Sequence, residues 1–493
     1  METMPEYRKR TKIVATIGPA SQDVGMLRAI VHAGMDVARI NFSHGDHQTH
    51  ARNIENLRRV AEEEGKVVAI LADIPGPKLR LGTLVQDPLE LTAGDVVTLT
   101  ASSALDPEKP FVIPLPHQQV LDDLNAGERL LLDDGQLEFV VAGRVGVDVR
   151  CEVLLGGMLS SHKGVSVPDS ALRISSITDE DREHIRFALE QEVDYLAMSF
   201  VRTADDLREM RWLVRHLKGE AALIAKIEKS EAIANFDAIL EQADGIMVAR
   251  GDLGVETPAE RVPVHQKNII KRCNEVGKPV ITATQMLQSM IDNPRPTRAE
   301  STDVANAIFD GTDAVMLSGE TAVGKYPLQA VETMARIAQI AEQYLGEHRD
   351  LHRDELNLDI LHLERQRSIA AAISHVTSRI ADMLSARLIV ASTWSGYTAQ
   401  RVARVRPNTP ILAATPNKRT YRRLALVWGV LPILVNEFDT IDEMIDVVVE
   451  TACSARLVAN GDLMVIIGGV PFGIGSQTNF LKVLTVGENE MPC

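Results

Sequence analysis

Apolar residues along this chain gather in short runs, and the segments between the runs carry polar residues on one helical face. The runs are Lys12–Gly18, Val37–Ser43, Val67–Ile74 and Val193–Phe200, then Leu223–Glu228, Gly245–Ala249, Pro279–Gln285 and Ala314–Gly319. Near-continuous apolar runs of this length predict strands covered on both faces, the condition of a parallel sheet. The segment Ser21–Ala33 shows the helical period between them. Ser21 is its expected N-cap, Leu27, Ile30 and Val31 share a face, and Gly34 is the stop. Asp205–Leu217, Ala232–Gln242, Pro263–Val276 and Ala299–Phe309 follow the same pattern. Eight apolar strands, each followed by a helix, predict a (β/α)8 TIM barrel rather than an open sheet.

One connection is far too long for a loop. Residues 82–168 read instead as short β segments at Val96–Thr100, Arg129–Leu132, Leu137–Ala142 and Val147–Leu155, separated by Gly- and Asp-rich turns. They predict a small inserted β-barrel domain. It leaves from a βα loop, so it should cover the carboxyl end of the barrel as a lid. Beyond a polar stretch at 346–366 the strand–helix alternation restarts. Helices Arg367–Leu384, Thr398–Val405, Arg419–Trp428 and Ile441–Ala459 alternate with strands Arg387–Ser392, Pro410–Ala414, Leu431–Asn436 and Leu463–Gly468. The expected division is a barrel from 1–81 and 169–345, a lid from 82–168, and a doubly wound α/β domain from 346–493.

Composition narrows the function classes. The chain has 493 residues, a formal net charge of −16 and no basic block, which argues against a nucleic-acid partner. No apolar stretch approaches the roughly 18 residues a membrane span needs. Met1–Lys12 is charged and lacks a signal core, so the expected location is cytoplasmic. Cys151, Cys273, Cys453 and Cys493 lie far apart, match neither a zinc nor a disulfide spacing, and read as reduced thiols.

The chemistry gathers at the strand ends. Lys226 and Glu228 are alternate residues, so they point the same way. The next run closes on Arg250-Gly251-Asp252. Two carboxylates from adjacent strand ends can hold a divalent metal, with a lysine beside them to neutralise substrate charge. The same Lys–Glu pair equally fits an ion pair at the rim of a core. The other ends add Arg39, Asn41, Ser43, Asp73, Lys78, Arg80, Ser199, Arg202, Thr282, Thr284, Gln285, Ser318 and Glu320. Each alone could be a cap or rim charge. Together they imply a phosphorylated or carboxylated substrate bridged by a metal.

The chain resembles the pyruvate kinase family over essentially its whole length. The segments that carry the likeness include Lys12-Ile-Val-Ala-Thr-Ile-Gly-Pro, Ala38-Arg-Ile-Asn-Phe-Ser-His-Gly and Lys163-Gly-Val. Further along are Ala225-Lys-Ile-Glu, Met247-Val-Ala-Arg-Gly-Asp-Leu-Gly, Ile281-Thr-Ala-Thr-Gln-Met-Leu, Pro296-Thr-Arg-Ala-Glu and Met316-Leu-Ser-Gly-Glu-Thr. The resemblance implies phosphoryl transfer from phosphoenolpyruvate to ADP, giving pyruvate and ATP, by a homotetramer. It implies Mg2+, with Mn2+ as a substitute, on Glu228 and Asp252. Lys226 and Arg39 would face the phosphoryl group, while Gly251, Asp252, Thr284 and Ser199 would contact the substrate. A water relay through Thr284 would protonate the enolate, and Arg80 and Lys163 would meet the nucleotide phosphates.

The resemblance also implies a K+ site at Asn41, Ser43, Asp73 and the carbonyl of Ile74. Here the chain departs from the pattern. Lys78 stands where K+-requiring members carry an acid, and Ile74 and Leu81 stand where they carry threonines. An ammonium near that site supplies a positive charge and repels another, so K+ should not be required. In the carboxyl domain, Ser392-Thr393-Trp394-Ser395-Gly396-Tyr397-Thr398 lies between a strand and a helix. It reads either as a plain N-cap or as a phosphate pocket, and the resemblance places an allosteric site for a phosphorylated effector there. Arg419, Arg422, Arg423 and Trp428 are assigned to the same site.

Other signals are discounted. His44, His47 and His50 begin a polar helix and are not read as a metal site, Gly468–Gly475 is not a dinucleotide fingerprint, and 342–366 reads as a solvated connection. Two rival functions remain. A Mg2+-dependent aldolase or lyase of pyruvate enolate chemistry would need the metal pair but no nucleotide lid. A non-enzymatic metabolite sensor would not need Lys226, Glu228, Asp252 and Thr284 intact.

Overall fold

The computed structural model describes residues 9–170, 172–348, 368–471, 477–488 and 493. The first strands are β1 (Lys12–Ile17), β2 (Val37–Asn41) and β3 (Ala69–Ile74). The insert contributes β4 (Leu89–Leu91), β5 (Val96–Thr100), β6 (Val112–Pro114), β7 (Arg129–Leu132), β8 (Leu137–Val145), β9 (Asp148–Leu155), β10 (Gly157–Leu159) and β11 (Val165–Ser166). The chain then returns through β12 (Tyr195–Met198), β13 (Ala222–Ile227), β14 (Gly245–Ala249), β15 (Val280–Ala283) and β16 (Ala314–Leu317). β1, β2, β3 and β12 to β16 close into a parallel barrel in chain order, with β16 beside β1.

The apolar runs form these strands because both faces are covered. One set of side chains packs against the helices, and the other, including Val14, Leu71, Ile224, Met247 and Met316, fills the interior. Ala425 and Leu426 of the carboxyl domain join that interior cluster and plug the amino-terminal mouth. The lid strands wrap one apolar core as a six-stranded sheet, β11-β7-β8-β9-β5-β6, with β4 and β10 as a separate ribbon. Among the described residues no ladder joins β11 to β6, so the expected small barrel is an open one.

In the carboxyl domain β17 (Leu388–Ser392), β18 (Ile411–Thr415), β19 (Val430–Leu434) and β20 (Leu463–Gly468) are parallel. A further strand, β21 (Phe480–Thr485), pairs antiparallel at the edge beside β20. It is absent from the sequence reading, because its partly exposed residues give neither a buried run nor a clean alternation.

Several local expectations change. The first helix spans Val24–Ala33, and its cap is Asp23, whose carboxylate accepts from the Gly25 and Met26 N–H groups; Ser21 is buried instead against Gly18. Gly34 ends it at φ 117°, a conformation that glycine adopts without strain. The helix expected at Ala232–Gln242 breaks at Asn235 into Ser230–Ala234 and Phe236–Gln242. Of the expected connection 342–366, residues 342–347 form the end of the helix Pro327–Glu347; most of them are exposed, as a solvated stretch would be, but Glu342 is buried and accepts from the backbone N–H groups of Arg10 and Thr11. The remainder of that stretch, from 349 to 366, lies outside the described residues, as does most of the run after Val470 that was read against a dinucleotide fingerprint. Cys453 and Cys493 form a disulfide with Cα atoms 5.3 Å apart, so the four-thiol expectation fails. Sequence separation gave no hint that the chain end folds back onto the helix Ile441–Ser454. Cys151 and Cys273 are free and buried.

Candidate active site

β13 carries Lys226 towards the barrel's carboxyl end, and Glu228 follows just beyond the strand. The Lys226 ammonium lies 3.0 Å from Asp73 Oδ1, 2.9 Å from Glu228 Oε1 and 2.6 Å from Ser199 Oγ. Arg39 donates from Nε to Asp73 Oδ2 at 2.7 Å and from Nη1 to Thr16 Oγ1 at 3.0 Å. Two cations and two carboxylates thus interlock, and the carboxylates are almost fully buried. Burial by itself would lower the Lys226 pKa, but Asp73 and Glu228 outweigh it and hold the ammonium charged. Burial likewise opposes ionisation of Asp73, and Lys226 and Arg39 overcome it, keeping that carboxyl below its usual range.

Glu228 behaves differently. Burial raises its pKa first, and Asp252 adds repulsion that Lys226 and the Phe200 N–H, donating at 2.7 Å, only partly offset. A costly anion facing a second carboxylate is a place that favours a divalent cation. Among the described residues no group of three or more His, Cys, Asp or Glu side chains could hold a metal by itself. The Glu228–Asp252 pair offers carboxylate oxygens alone, a donor set that could hold an oxygen-loving ion such as Mg2+.

β14 ends in the short helix Arg250–Glu256, which starts at this pair. The Gly251 N–H donates to Thr284 Oγ1 at 2.7 Å, bringing together two groups expected to share one substrate carboxylate. Thr284 and Gln285 have φ of 67° and 54°, an unusual conformation for side-chain-bearing residues. Arg250 holds this turn through the Ala283 and Thr284 carbonyls at 3.2 and 2.7 Å while pairing with Asp303.

The expected ring is thinned. Thr282 is fully buried and bonds Thr312, and Glu320 caps the Leu287 and Ser318 N–H groups. Arg202 turns to the lid linker. Thr16, overlooked in the sequence, orients Arg39; a polar residue inside the apolar run Lys12–Ile17 was the available signal.

Of the monovalent-ion set, Asn41 Oδ1 accepts from Ser43 N–H at 3.2 Å, and the Ile74 carbonyl accepts from Ser199 at 2.7 Å. Lys78 lies 3.9 Å from Asp252 Oδ1. On the lid stem, Arg80 pairs antiparallel with Gly164 and donates to the His162 carbonyl at 3.1 Å, while Lys163 pairs with Asp133 at 2.8 Å.

In the carboxyl domain Gly396, at φ 88°, opens the helix Tyr397–Arg404. Ser392, Thr393 and Thr398 are buried and Ser395 is exposed. Thr393 Oγ1 accepts from Gly396 N–H at 2.9 Å, and Thr398 bonds Thr478 at 2.9 Å. Arg419, Arg422, Arg423 and Trp428 do not join this loop. Arg419 pairs with Glu220, Arg422 with buried Asp194 at 2.6 Å, and Arg423 reaches the Asp194 and Glu220 carbonyls. Trp428 packs under Arg10 and Arg406. All four seat the carboxyl domain on the barrel.

Comparison with known proteins agrees with this layout. The family model described as pyruvate kinase, barrel domain, matches residues 8–331, and that described as pyruvate kinase, alpha/beta domain, matches residues 371–484. The chain is 49% identical to the pyruvate kinase of Geobacillus stearothermophilus over 485 residues, covering 98% of this chain and 81% of that one. It is 45% identical to pyruvate kinase 2 of a Synechocystis strain, covering 99% and 80%. A crystal structure of a pyruvate kinase from Cryptosporidium parvum superposes with a TM-score of 0.88 at 35% identity, covering 97% and 96%.

Proposed function

The chain belongs to the pyruvate kinase family and is an enzyme of that activity, and on this premise we propose how its residues carry the reaction. Phosphoenolpyruvate and ADP are the substrates, and pyruvate and ATP the products. The observation that supports the assignment most is the Lys226 ammonium locked between Asp73, Ser199 and Glu228 at a strand end. A cation fixed there acts on the equatorial oxygens of the phosphoryl group, which keep their charge through a loose transition state. Arg39, oriented by Asp73 and Thr16, holds the same group from another side.

The Gly251 and Asp252 N–H groups and Thr284 orient the substrate carboxylate. Glu228 and Asp252 would hold Mg2+ or Mn2+, which when bound polarises the substrate oxygens between them. A water relay passing through Thr284 delivers the proton to the enolate carbon. Arg80 and Lys163 bind the nucleotide phosphates, and the lid excludes water so that ADP rather than water takes the phosphoryl group.

Three further readings belong to this proposal. Lys78, whose ammonium lies 3.9 Å from Asp252, adds a positive charge to the site, and with the Asp73 charge already shared between Lys226 and Arg39 this makes K+ unnecessary. The Ser392–Thr398 loop binds a phosphorylated effector through its hydroxyls and N–H groups, with Thr398 and its partner Thr478 at the start of the helix. Subunits assemble as a homotetramer, a reading consistent with exposed Ile369, Val376 and Met383 on one helix.

The deciding experiment follows ADP-dependent pyruvate release from phosphoenolpyruvate, with and without Mg2+, in a coupled assay that also scores ATP. Transfer that requires both ADP and Mg2+ supports the proposal. Pyruvate chemistry without ATP would favour a lyase or aldolase, and ligand binding without turnover a sensor.

A further inference from the structure

Two linkers join the lid to the barrel, and each is pinned by a side chain that the chemistry does not use. The outbound linker passes Gly76, whose N–H donates to buried Asp181 at 3.1 Å. Gly76 has φ 68°, and a Cβ there would sit 3.2 Å from the Ser199 carbonyl, so the linker lies directly on the end of β12. The return linker, 168–176, is tied to the lid by the Arg129–Asp169 and Arg173–Asp123 pairs, and its residues 172–176 are tied to the barrel by Arg202. Its guanidinium donates to the Leu172 carbonyl at 2.6 Å, to the Ile174 carbonyl at 2.8 Å and to Ser176 Oγ at 2.8 Å. Asp206 fixes the arginine in turn, accepting from its backbone N–H at 2.8 Å and pairing with its Nη2 at 3.7 Å. The Arg202 carbonyl accepts from Asn235 at 3.0 Å, at the break between two helices.

Arg202 is also two residues from Phe200, whose N–H donates to the candidate metal ligand Glu228. One short segment therefore holds the lid's return linker and a metal-binding carboxylate. A planar fork with several donors can grip three oxygens of one linker in a way that a single ammonium cannot. Between the lid and the barrel lies an open cleft lined by Gly164, Val167, Ile174, Phe200, Arg202 and Asp252 among others.

We propose that Arg202 is a positioning residue for phosphoryl transfer: it anchors the hinge on which the lid brings Arg80 and Lys163 over the barrel site. It touches neither substrate nor metal. It acts by keeping the return linker in register with the loop that supports Glu228, so the lid cations arrive where the phosphoryl acceptor is held. This rests on the reading of the lid as the nucleotide-binding element.

The consequence is a specific failure. Without the anchor the barrel site still binds phosphoenolpyruvate, but ADP is misplaced and water is excluded less well. Misplacing a reactant by about 1 Å can cost on the order of 100-fold in rate. In the competing reaction water supplies the attacking oxygen, the bond from phosphorus to the enol oxygen breaks, and pyruvate and inorganic phosphate result.

The test compares wild type, Arg202→Ala, Arg202→Lys and Ser176→Ala for kcat, for KM of each substrate, and for pyruvate release without ADP. For Arg202→Ala the expected result is a fall of roughly 30- to 100-fold in kcat/KM for ADP. KM for phosphoenolpyruvate and the Mg2+ dependence should stay within about two-fold, while the ADP-independent fraction of pyruvate release rises. Arg202→Lys should remain closer to alanine than to wild type, and added guanidinium ion should restore coupling to Arg202→Ala. Ser176→Ala removes one of the three linker oxygens and its contact to Asp206, and should shift the same quantities in the same direction by only a few-fold; if Arg202→Ala does not fold, the absence of any shift in Ser176→Ala overturns the assignment. An ADP response like wild type, or a loss confined to Mg2+ or phosphoenolpyruvate affinity, overturns the hinge assignment. Absence of ADP-dependent transfer in the wild type itself would instead overturn the function proposed above.

Discussion

Two regions of this molecule have the makings of a phosphate site, and they are built on opposite principles. The barrel site is a lattice of full charges, in which Lys226 and Arg39 share the Asp73 carboxylate and Lys226 also meets Glu228. The Ser392–Thr398 loop has hydroxyls and backbone N–H groups but no charged side chain, and two of its hydroxyls, Thr393 and Thr398, bond Gly396 and Thr478. Buried charges that hold one another are already oriented when the substrate's charge migrates, so little reorganisation accompanies the reaction. Neutral donors that must first let go of internal partners suit reversible binding. The contrast matches the two roles proposed above, chemistry for the charged lattice and effector binding for the neutral loop.

The sharpest way to break the contrast is Lys226→Met. Phosphoryl transfer should fall by about 1,000-fold or more, the equivalent of roughly 3–4 kcal/mol or above, with the circular dichroism spectrum unchanged. Near-normal turnover would show that the charge lattice is only structural.

Asp73→Asn tests the lattice as a stability element. The native carboxyl lies below its ordinary value, so its contribution is present above that value, near 3.8, and fades as pH falls through the lower native one. The variant should be about 3 kcal/mol less stable near neutral pH, because two cations lose their shared partner. The difference should shrink below about pH 4; a gap that persists there in urea titrations would mean packing rather than charge is responsible.

Thr398→Glu addresses the other region. A buried acid at the start of that helix should abolish activation by a phosphorylated sugar or nucleotide while basal turnover stays within about two-fold, since the effect is confined to one helix terminus. Activation like wild type would remove the loop from the proposed switch.

Reduction of Cys453–Cys493 sharpens the separation further. Opening a loop of 40 residues should destabilise the carboxyl domain by up to about 3–4 kcal/mol and leave barrel turnover within about two-fold. Thiol labelling of the native protein should rise only after reduction, since burial pushes the Cys151 thiol up to about 12 and Cys273 well above its usual value.

The smallest expected effect is that of K+. At saturating phosphoenolpyruvate and constant ionic strength, removing Na+, K+ and NH4+ should change turnover by less than about two-fold. A large stimulation by K+ would mean that the Lys78 ammonium, 3.9 Å from Asp252, does not stand in for the ion.

Much of this was legible in the chain because it depends on local rules. Eight doubly covered apolar runs can be read from period and length, and the alternation of Lys226 and Glu228 fixes a shared direction before any neighbour is known. Gly34 stops a helix wherever the fold places it. What the chain could not show is which distant groups meet. Glu320 and Thr282 looked like site residues at strand ends and are consumed by backbone caps and a buried hydroxyl pair. The arginines at 419, 422 and 423 looked like phosphate ligands, yet the seating of the carboxyl domain on Asp194 and Glu220 claims them. Cys453 meets Cys493, and Arg202 meets the lid linker, only once the chain has folded back. Periodicity records the environment of one segment, whereas a charge is committed by whichever partner packing brings within about 3 Å, and that partner is set by the whole fold.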